Sequence, residues 1–232
     1  MATKPYITYD TPEYPRQLRL DTTTTCNAKC LSCHRFVEWN KRKGVMPIEE
    51  VEGILRDVSG WDRPLVELVP VNHGEFFLYK YWKETLGLAE KYLPQTQIVI
   101  PTNGSMIDNG AIEILARSPT VRLINFSINA FLGETYKRFM GLPEEAINNI
   151  KWRMFKLKQS RPDITFWVSM VYDPAYQSEK EKELFVEHWR HMAVPQIIPA
   201  SNCNRYPLKI QTNLPCRSIF SDLVVGYDGH LS

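Results

Sequence analysis

Leu18-Arg19-Leu20-Asp21-Thr22, followed at once by Thr23-Thr24-Thr25-Cys26-Asn27-Ala28-Lys29-Cys30-Leu31-Ser32-Cys33, is the stretch on which the reading of this chain turns. The first five residues have the composition of a strand. Cys26, Cys30 and Cys33 then form a C-x3-C-x2-C run in the loop behind it. Such a loop can wrap three thiolates around one face of an iron–sulfur cube. A [4Fe–4S] cluster ordinarily takes four Cys ligands, so three leave one iron open to bind and activate a small molecule. Two other readings of the triplet stay open at this point. Zinc sites pair a C-x2-C with a second pair of Cys or His far along the chain, and His34, Cys203 and Cys216 are available for that. A disulfide cluster is disfavoured by the odd count of 5 cysteines and by a chain long enough to bury a core without staples.

Composition narrows the setting. The 232 residues suit one large α/β domain, or such a domain with a short appendix. Hydrophobic residues make up 44% and charged residues 23%, ordinary for a globular protein. A formal charge of +2 gives no electrostatic case for nucleic acid or an anionic membrane. No apolar run approaches the roughly 18–20 residues that span a bilayer. The opening Met1-Ala2-Thr3-Lys4-Pro5-Tyr6 has no apolar secretion core, so a reducing cytoplasm is the expected compartment.

Beyond the cysteines, apolar runs alternate with amphipathic stretches. Pro47 to Val58 reads as a helix, with Glu49 and Glu50 in its first turn and Val51, Ile54, Leu55 and Val58 at helical spacing. Leu65 to Val71 reads as a strand, Tyr81 to Leu93 as a helix, and Thr96 to Pro101 as a β-branched strand. Ile107 to Arg117 is helical, Val121 to Ile128 a strand, Glu144 to Gln159 helical, and Ile164 to Tyr172 a strand. A helix over Glu179 to Met192 and a short strand near Gln196 to Pro199 complete the series. Short connections between such units imply parallel strands with right-handed crossovers. The count of six falls short of the eight of a closed TIM barrel. The expected fold is therefore α/β, a partial (βα)6 TIM-like barrel over residues 1–200, with a short irregular C-terminal appendix over 201–232. A flat doubly wound sheet fits the count too, and either topology puts chemistry at the C-terminal strand ends. There stand the cysteines, then Asn72-His73-Gly74-Glu75, Thr102-Asn103-Gly104 and Ser127-Ile128-Asn129. Each of the last three alone reads as a turn or a strand end; their order on successive strands is what argues for a site.

With these segments aligned, the chain from about Leu18 to Pro199 resembles the radical S-adenosylmethionine (radical SAM) family, whose defining motif is the C-x3-C-x2-C loop. The resemblance implies that Cys26, Cys30 and Cys33 hold a [4Fe–4S] cluster whose open iron is chelated by the amino and carboxylate groups of S-adenosylmethionine. It carries Gly74 and Glu75 over to the family's Gly-Gly-Glu-Pro, which contacts the methionine amino group. It likewise carries Asn103 and Gly104 to its Thr-Asn-Gly, and Ser127 and Asn129 to its Ser-Ile-Asp, whose side chains face the ribose or methionine. Departures are visible: His73 and Phe76 replace a Gly and the Pro, Asn129 replaces the Asp, and Ser32 stands where an aromatic precedes the third cysteine. The implied activity is reductive cleavage of S-adenosylmethionine to methionine and a 5′-deoxyadenosyl radical, which abstracts hydrogen from a peptide or small polar substrate. An external reductant such as a flavodoxin or ferredoxin is implied with it. No residue is assigned as a catalytic acid or base.

The tail adds a second resemblance. Pro215-Cys216-Arg217, Phe220, Leu223-Val224-Val225 and Tyr227-Asp228-Gly229 look like the opening of a SPASM extension, with Asp228-Gly229 as a hairpin turn. In the family that extension binds auxiliary iron–sulfur clusters. Cys203 and Cys216 are too few for one, so an auxiliary cluster is expected only if the sequence is a fragment. The competing functions are an iron–sulfur electron carrier or sensor without cofactor turnover, a zinc-stabilised binding module, and a degenerate enzyme that keeps the cluster alone.

Overall fold

The computed structural model describes residues 13–33, 43–200 and 221–231. His34, Cys203, Cys216 and Phe220, on which some sequence expectations rest, lie outside the described residues. The strands are β1 (Gln17–Leu20), β2 (Glu67–Val69), β3 (Gln97–Thr102), β4 (Val121–Ser127), β5 (Thr165–Tyr172), β6 (Val194–Pro199) and β7 (Asp222–Val225). The helices are α1 (Ile48–Ser59), α2 (Trp82–Tyr92), α3 (Asn109–Arg117), α4 (Gly133–Met140), α5 (Ala146–Ser160) and α6 (Glu179–Trp189).

The strands form one sheet in the order β6-β5-β4-β3-β2-β1-β7, every neighbouring pair parallel. The sheet stays open, the partial barrel that the alternating pattern predicts. Along β3, Ile98 and Ile100 are buried while Gln97, Val99 and Pro101 are more exposed, the period-2 pattern of a strand with two unlike faces. Leu18, Leu20, Ile124, Phe126, Val168 and Met170 share the buried face and meet Val51, Leu55, Leu115, Ile150 and Phe185 of the helices in one core. Each such side chain contributes about 1.5–3 kcal/mol through its burial. The other face is largely polar and already paired. Gln17 bonds Glu67, Ser169 donates to Asn125 at 2.6 Å, and Arg19 lies 3.8 Å from Asp222.

Two helices, α3 and α6, start on side-chain caps. The Asp108 carboxylate accepts from the Ala111 N–H at 2.7 Å to begin α3, and the Ser178 hydroxyl accepts from the Glu181 N–H at 3.1 Å to begin α6. The free side of β6 carries Pro195 and Pro199, which have no N–H to offer another strand.

Three features depart from the sequence reading. β6 starts at Val194, two residues earlier than expected. An additional helix, α4, fills the connection before α5. The tail is more regular than an appendix: β7 joins the sheet parallel to β1, with Gln17 opposite Asp222 and Leu20 opposite Val225. Asp228-Gly229 does turn the chain, with Gly229 at φ 79° and Val225 bridged to Leu231. Among the described residues, no helix is long and apolar enough to cross a membrane.

Candidate functional site

The cysteine loop leaves the C-terminal end of β1 and is tied down on three sides. On the first, the Thr24 N–H donates to the Gly44 carbonyl at 3.1 Å and the Gly44 N–H returns a bond to the Thr24 hydroxyl at 2.9 Å. On the second, the Glu75 N–H from the β2 loop donates to the Thr25 carbonyl at 2.8 Å. On the third, the N–H groups of Lys29 and Leu31 donate to the carbonyls of Met140 and Phe139, at 2.8 and 2.9 Å, at the end of α4. The last contact needs Gly141, which sits at φ 66° and whose missing Cβ would lie 2.9 Å from Lys29 Cβ. A turn closed by Cys33 N–H to the Cys30 carbonyl, 3.1 Å, finishes the loop.

All three cysteines are half-buried and none is in a disulfide. Cys30 Sγ lies 3.4 Å from Met140 Sδ. Among the described residues, no group of three or more His, Cys, Asp or Glu side chains that could hold a metal ion is gathered.

The sequence-predicted residues fall into two groups. Gly74, Glu75 and Asn103 are wired to the cysteine loop. A Cβ on Gly74 would stand 2.1 Å from the Thr23 carbonyl oxygen and 2.9 Å from that of Thr25, so only glycine lets the β2 loop approach this closely. Glu75 is buried and turned inward. Its carboxylate accepts from the Thr102 hydroxyl at 2.6 Å, the Asn103 N–H at 2.7 Å and the Phe77 N–H at 3.3 Å. Burial pushes its pKa up, against the pull of those three donors. The Asn103 side chain donates to Asn27 Oδ1 at 2.9 Å and lies 4.0 Å from Cys26 Sγ, while the Asn27 amide donates to the Ser105 hydroxyl at 2.8 Å. Arg153 of α5 secures the same β3 loop by donating to the Gly104 and Ser105 carbonyls, each at 3.0 Å.

Ser127 and Asn129 belong to the second group. Ser127 ends β4, half-buried opposite Ser169 of β5. Asn129 is held at φ 58°, a left-handed conformation that Asn tolerates better than most residues. Its Oδ1 accepts from the Val171 N–H at 2.8 Å, its carbonyl accepts from the Gln177 amide at 2.6 Å, and its own amide reaches Met140 Sδ at 2.9 Å. Met140 links it to the cysteine loop.

Sequence reasoning passed over three residues near this site. Asp21, directly after β1, is buried and grips His73 twice: it accepts from the His73 backbone N–H at 3.0 Å, and its other oxygen lies 2.8 Å from Nδ1. Its position beside the cysteine run was the available signal. Met140 and Tyr136 lie on α4, the helix the pattern did not reveal. Tyr136 is fully buried and its hydroxyl makes no hydrogen bond among the described residues. Phe76 and Phe77 are core, whereas Trp167 stands 38% exposed. The Tyr79 hydroxyl donates to the Met46 carbonyl at 2.8 Å, and burial pushes its pKa up to about 12.

Residues 20–185 match the profile of the Radical SAM superfamily. No curated protein matches the chain. Among solved structures, BtrN in complex with AdoMet and 2-DOIA aligns over 95% of this chain and 73% of its own, at 14% identity and TM-score 0.53. A polyhistidine-tagged anSMEcpe with bound AdoMet aligns over 81% and 52%, at 17% identity and TM-score 0.66. SuiB of Streptococcus suis aligns over 94% and 60%, at 15% identity and TM-score 0.61. At these identities the likeness is one of fold, and the chain spans about half of anSMEcpe and three-fifths of SuiB.

Proposed function

The chain belongs to the radical SAM superfamily, a superfamily of enzymes, and from that premise we propose that it binds a [4Fe–4S] cluster and S-adenosylmethionine side by side at the C-terminal end of its sheet. Cys26, Cys30 and Cys33 would hold the cluster. Three thiols on one short loop are a soft donor set suited to iron–sulfur ligation and one short of saturating it. The buried, unpartnered Tyr136 hydroxyl beside that loop fits as well, since a polar group of this kind is costly without a partner. When bound, the pair supplies one-electron reductive cleavage of the sulfonium, yielding methionine and a 5′-deoxyadenosyl radical for hydrogen abstraction.

The protein's own residues bind, orient and exclude water. Gly74 brings the β2 loop against the cysteine loop, so that backbone carbonyls there can accept from the cofactor's ammonium. Glu75 serves that arrangement from within: its carboxylate is used by Thr102, Asn103 and Phe77, which makes it the brace between the β2 and β3 loops. Asn103 orients Asn27 next to Cys26. Ser127 and Asn129 would line the ribose or methionine side, with Asn129 set by its bonds to β5 and Gln177.

The substrate in this proposal is a peptide or small polar molecule, approaching the more open β4–β6 side where Ile198 is 38% exposed. An external one-electron donor such as a flavodoxin or ferredoxin completes the scheme. The SPASM likeness of Pro215-Cys216-Arg217 to Tyr227-Asp228-Gly229, and an auxiliary cluster with it, is not needed for this proposal. The observation that carries the function is the joining of Gly74, Glu75 and Asn103, from two successive strand ends, to one three-cysteine loop. Anaerobic reconstitution with iron and sulfide, followed by EPR of the reduced protein with and without S-adenosylmethionine, tests it. A [4Fe–4S] signal whose g values shift on adding the cofactor is expected. A cluster indifferent to it would favour the electron carrier.

A further inference from the structure

Of the buried side-chain oxygens that make no hydrogen bond among the described residues, Thr85 and Glu90 sit on α2, and Gln17 and Thr120 stand at the N-terminal ends of strands. Tyr136 alone of this set is near the cysteines. Its helix, α4, supplies the two carbonyls that pin Lys29 and Leu31, and carries Met140 against Cys30 Sγ at 3.4 Å. Tyr136 itself is 0% exposed. It stands about one helical turn before Met140 on α4, and burial pushes its hydroxyl's pKa up. The phenol is thus held in its protonated form, able to donate.

Nothing else among the described residues of the core explains the hydroxyl. Phenylalanine fills the same volume and leaves no orphaned donor, whose burial without a partner is a standing cost. A buried tyrosine ordinarily finds a partner for its O–H. Next to Cys30, the partner chemistry on offer is sulfur that carries negative charge once metal is held.

We propose that the Tyr136 hydroxyl donates a hydrogen bond to the sulfur shell anchored by Cys30, its thiolate or an adjacent inorganic sulfide, and raises the reduction potential of the bound cluster. The proposal rests on the radical SAM reading above and deepens it. Reduction adds negative charge that is shared by the sulfurs, and a donor aimed at them stabilises the reduced state more than the oxidised one. Tyr136 is on this account a positioning and tuning residue, not one that touches substrate.

The test compares the wild-type chain with Tyr136→Phe in two states. In the apo state the variant should melt higher by about 2–4 °C, because it discards an unsatisfied buried hydroxyl. In the reconstituted state, redox titration followed by EPR should show the variant about tenfold harder to reduce, a midpoint lower by about 59 mV for one electron. Incorporating 3,5-difluorotyrosine at position 136, a stronger donor, should move the midpoint the opposite way, and it serves as the second probe if the phenylalanine variant loses its cluster. Equal midpoints in all three proteins would overturn the inference while leaving the radical SAM reading intact. An apo Tyr136→Phe that melts lower than wild type would also overturn it, by showing the hydroxyl to be satisfied within the core. A wild-type chain that takes up no iron and sulfide would end both.

Discussion

The two halves of the strand-end rim are built differently. On the β1–β3 side the loops lock one another: the β2 loop donates to Thr25, the β3 loop donates to Glu75, and Asn103 reaches across to Asn27. On the β4–β6 side, Ser127 is only half-buried, Ile198 near the end of β6 is 38% exposed, and β6 is a proline-bearing edge. Asn129 is the exception there, bound to β5 and Met140 rather than to the rim opposite. The contrast separates two tasks that one rim must perform. Under the proposed function, a resident cluster is served by an over-determined wall, whereas molecules that must enter and leave need a side with fewer internal bonds.

Substitutions on the locked wall should therefore cost much more than those on the open side. Gly74→Ala breaks the wall most directly, since its Cβ would stand 2.1 Å from a backbone oxygen that cannot move aside cheaply. A loss of about 3 kcal/mol is expected in denaturant melts, at the upper end of overpacking costs, together with failure to hold iron. Glu75→Ala is next. It leaves the Thr102 hydroxyl and the N–H groups of Asn103 and Phe77 without their acceptor, for a loss of about 2–3 kcal/mol.

The pH dependence sharpens the same point. Because burial raises the Glu75 pKa in the folded chain, the folded state holds this proton more tightly than the unfolded one. The associated stability is present below the unfolded carboxylate pKa and lost as pH rises through the folded value. Urea melts of Glu75→Gln should lack that component, so that the difference between wild type and variant narrows toward acid and widens toward neutrality in the variant's favour. A difference independent of pH would mean that Glu75 titrates as it does in the unfolded chain.

Asn103→Ala should have a smaller effect, about 1 kcal/mol from the lost bond to Asn27, and it should show more in the rate at which iron is lost to a chelator than in global stability. Ile198→Ala, on the open side, should change apo stability by less than about 0.5 kcal/mol and leave cofactor binding untouched. A large cofactor defect in Ile198→Ala would erase the division between the halves.

What could be read from the chain follows the same division. The strand ends, and with them Gly74, Glu75 and Asn103, were marked by β-branched runs giving way to turn residues, a local signal. Where Glu75 points was not, because residue type says nothing of side-chain direction: its carboxylate turns inward and braces the β2 and β3 loops. The eight residues of α4 are too few to show a helical period, and Tyr136 and Met140 went unread with it. Leu223-Val224-Val225 was read as part of an irregular appendix; the strand it forms, β7, pairs with β1, near the opposite end of the chain, and such pairing leaves no mark in local pattern. Asp21 sat in plain view before the cysteines, yet its grip on His73 spans two strands.

The central claim, that this three-cysteine loop performs reductive cleavage of S-adenosylmethionine, is tested most directly by one assay. The reconstituted chain is incubated anaerobically with dithionite and S-adenosylmethionine, and 5′-deoxyadenosine is measured beside a Cys30→Ala control. The account predicts product from the wild type and none above background from Cys30→Ala. Product that survives loss of Cys30, or zinc bound in place of iron with no product at all, would contradict it.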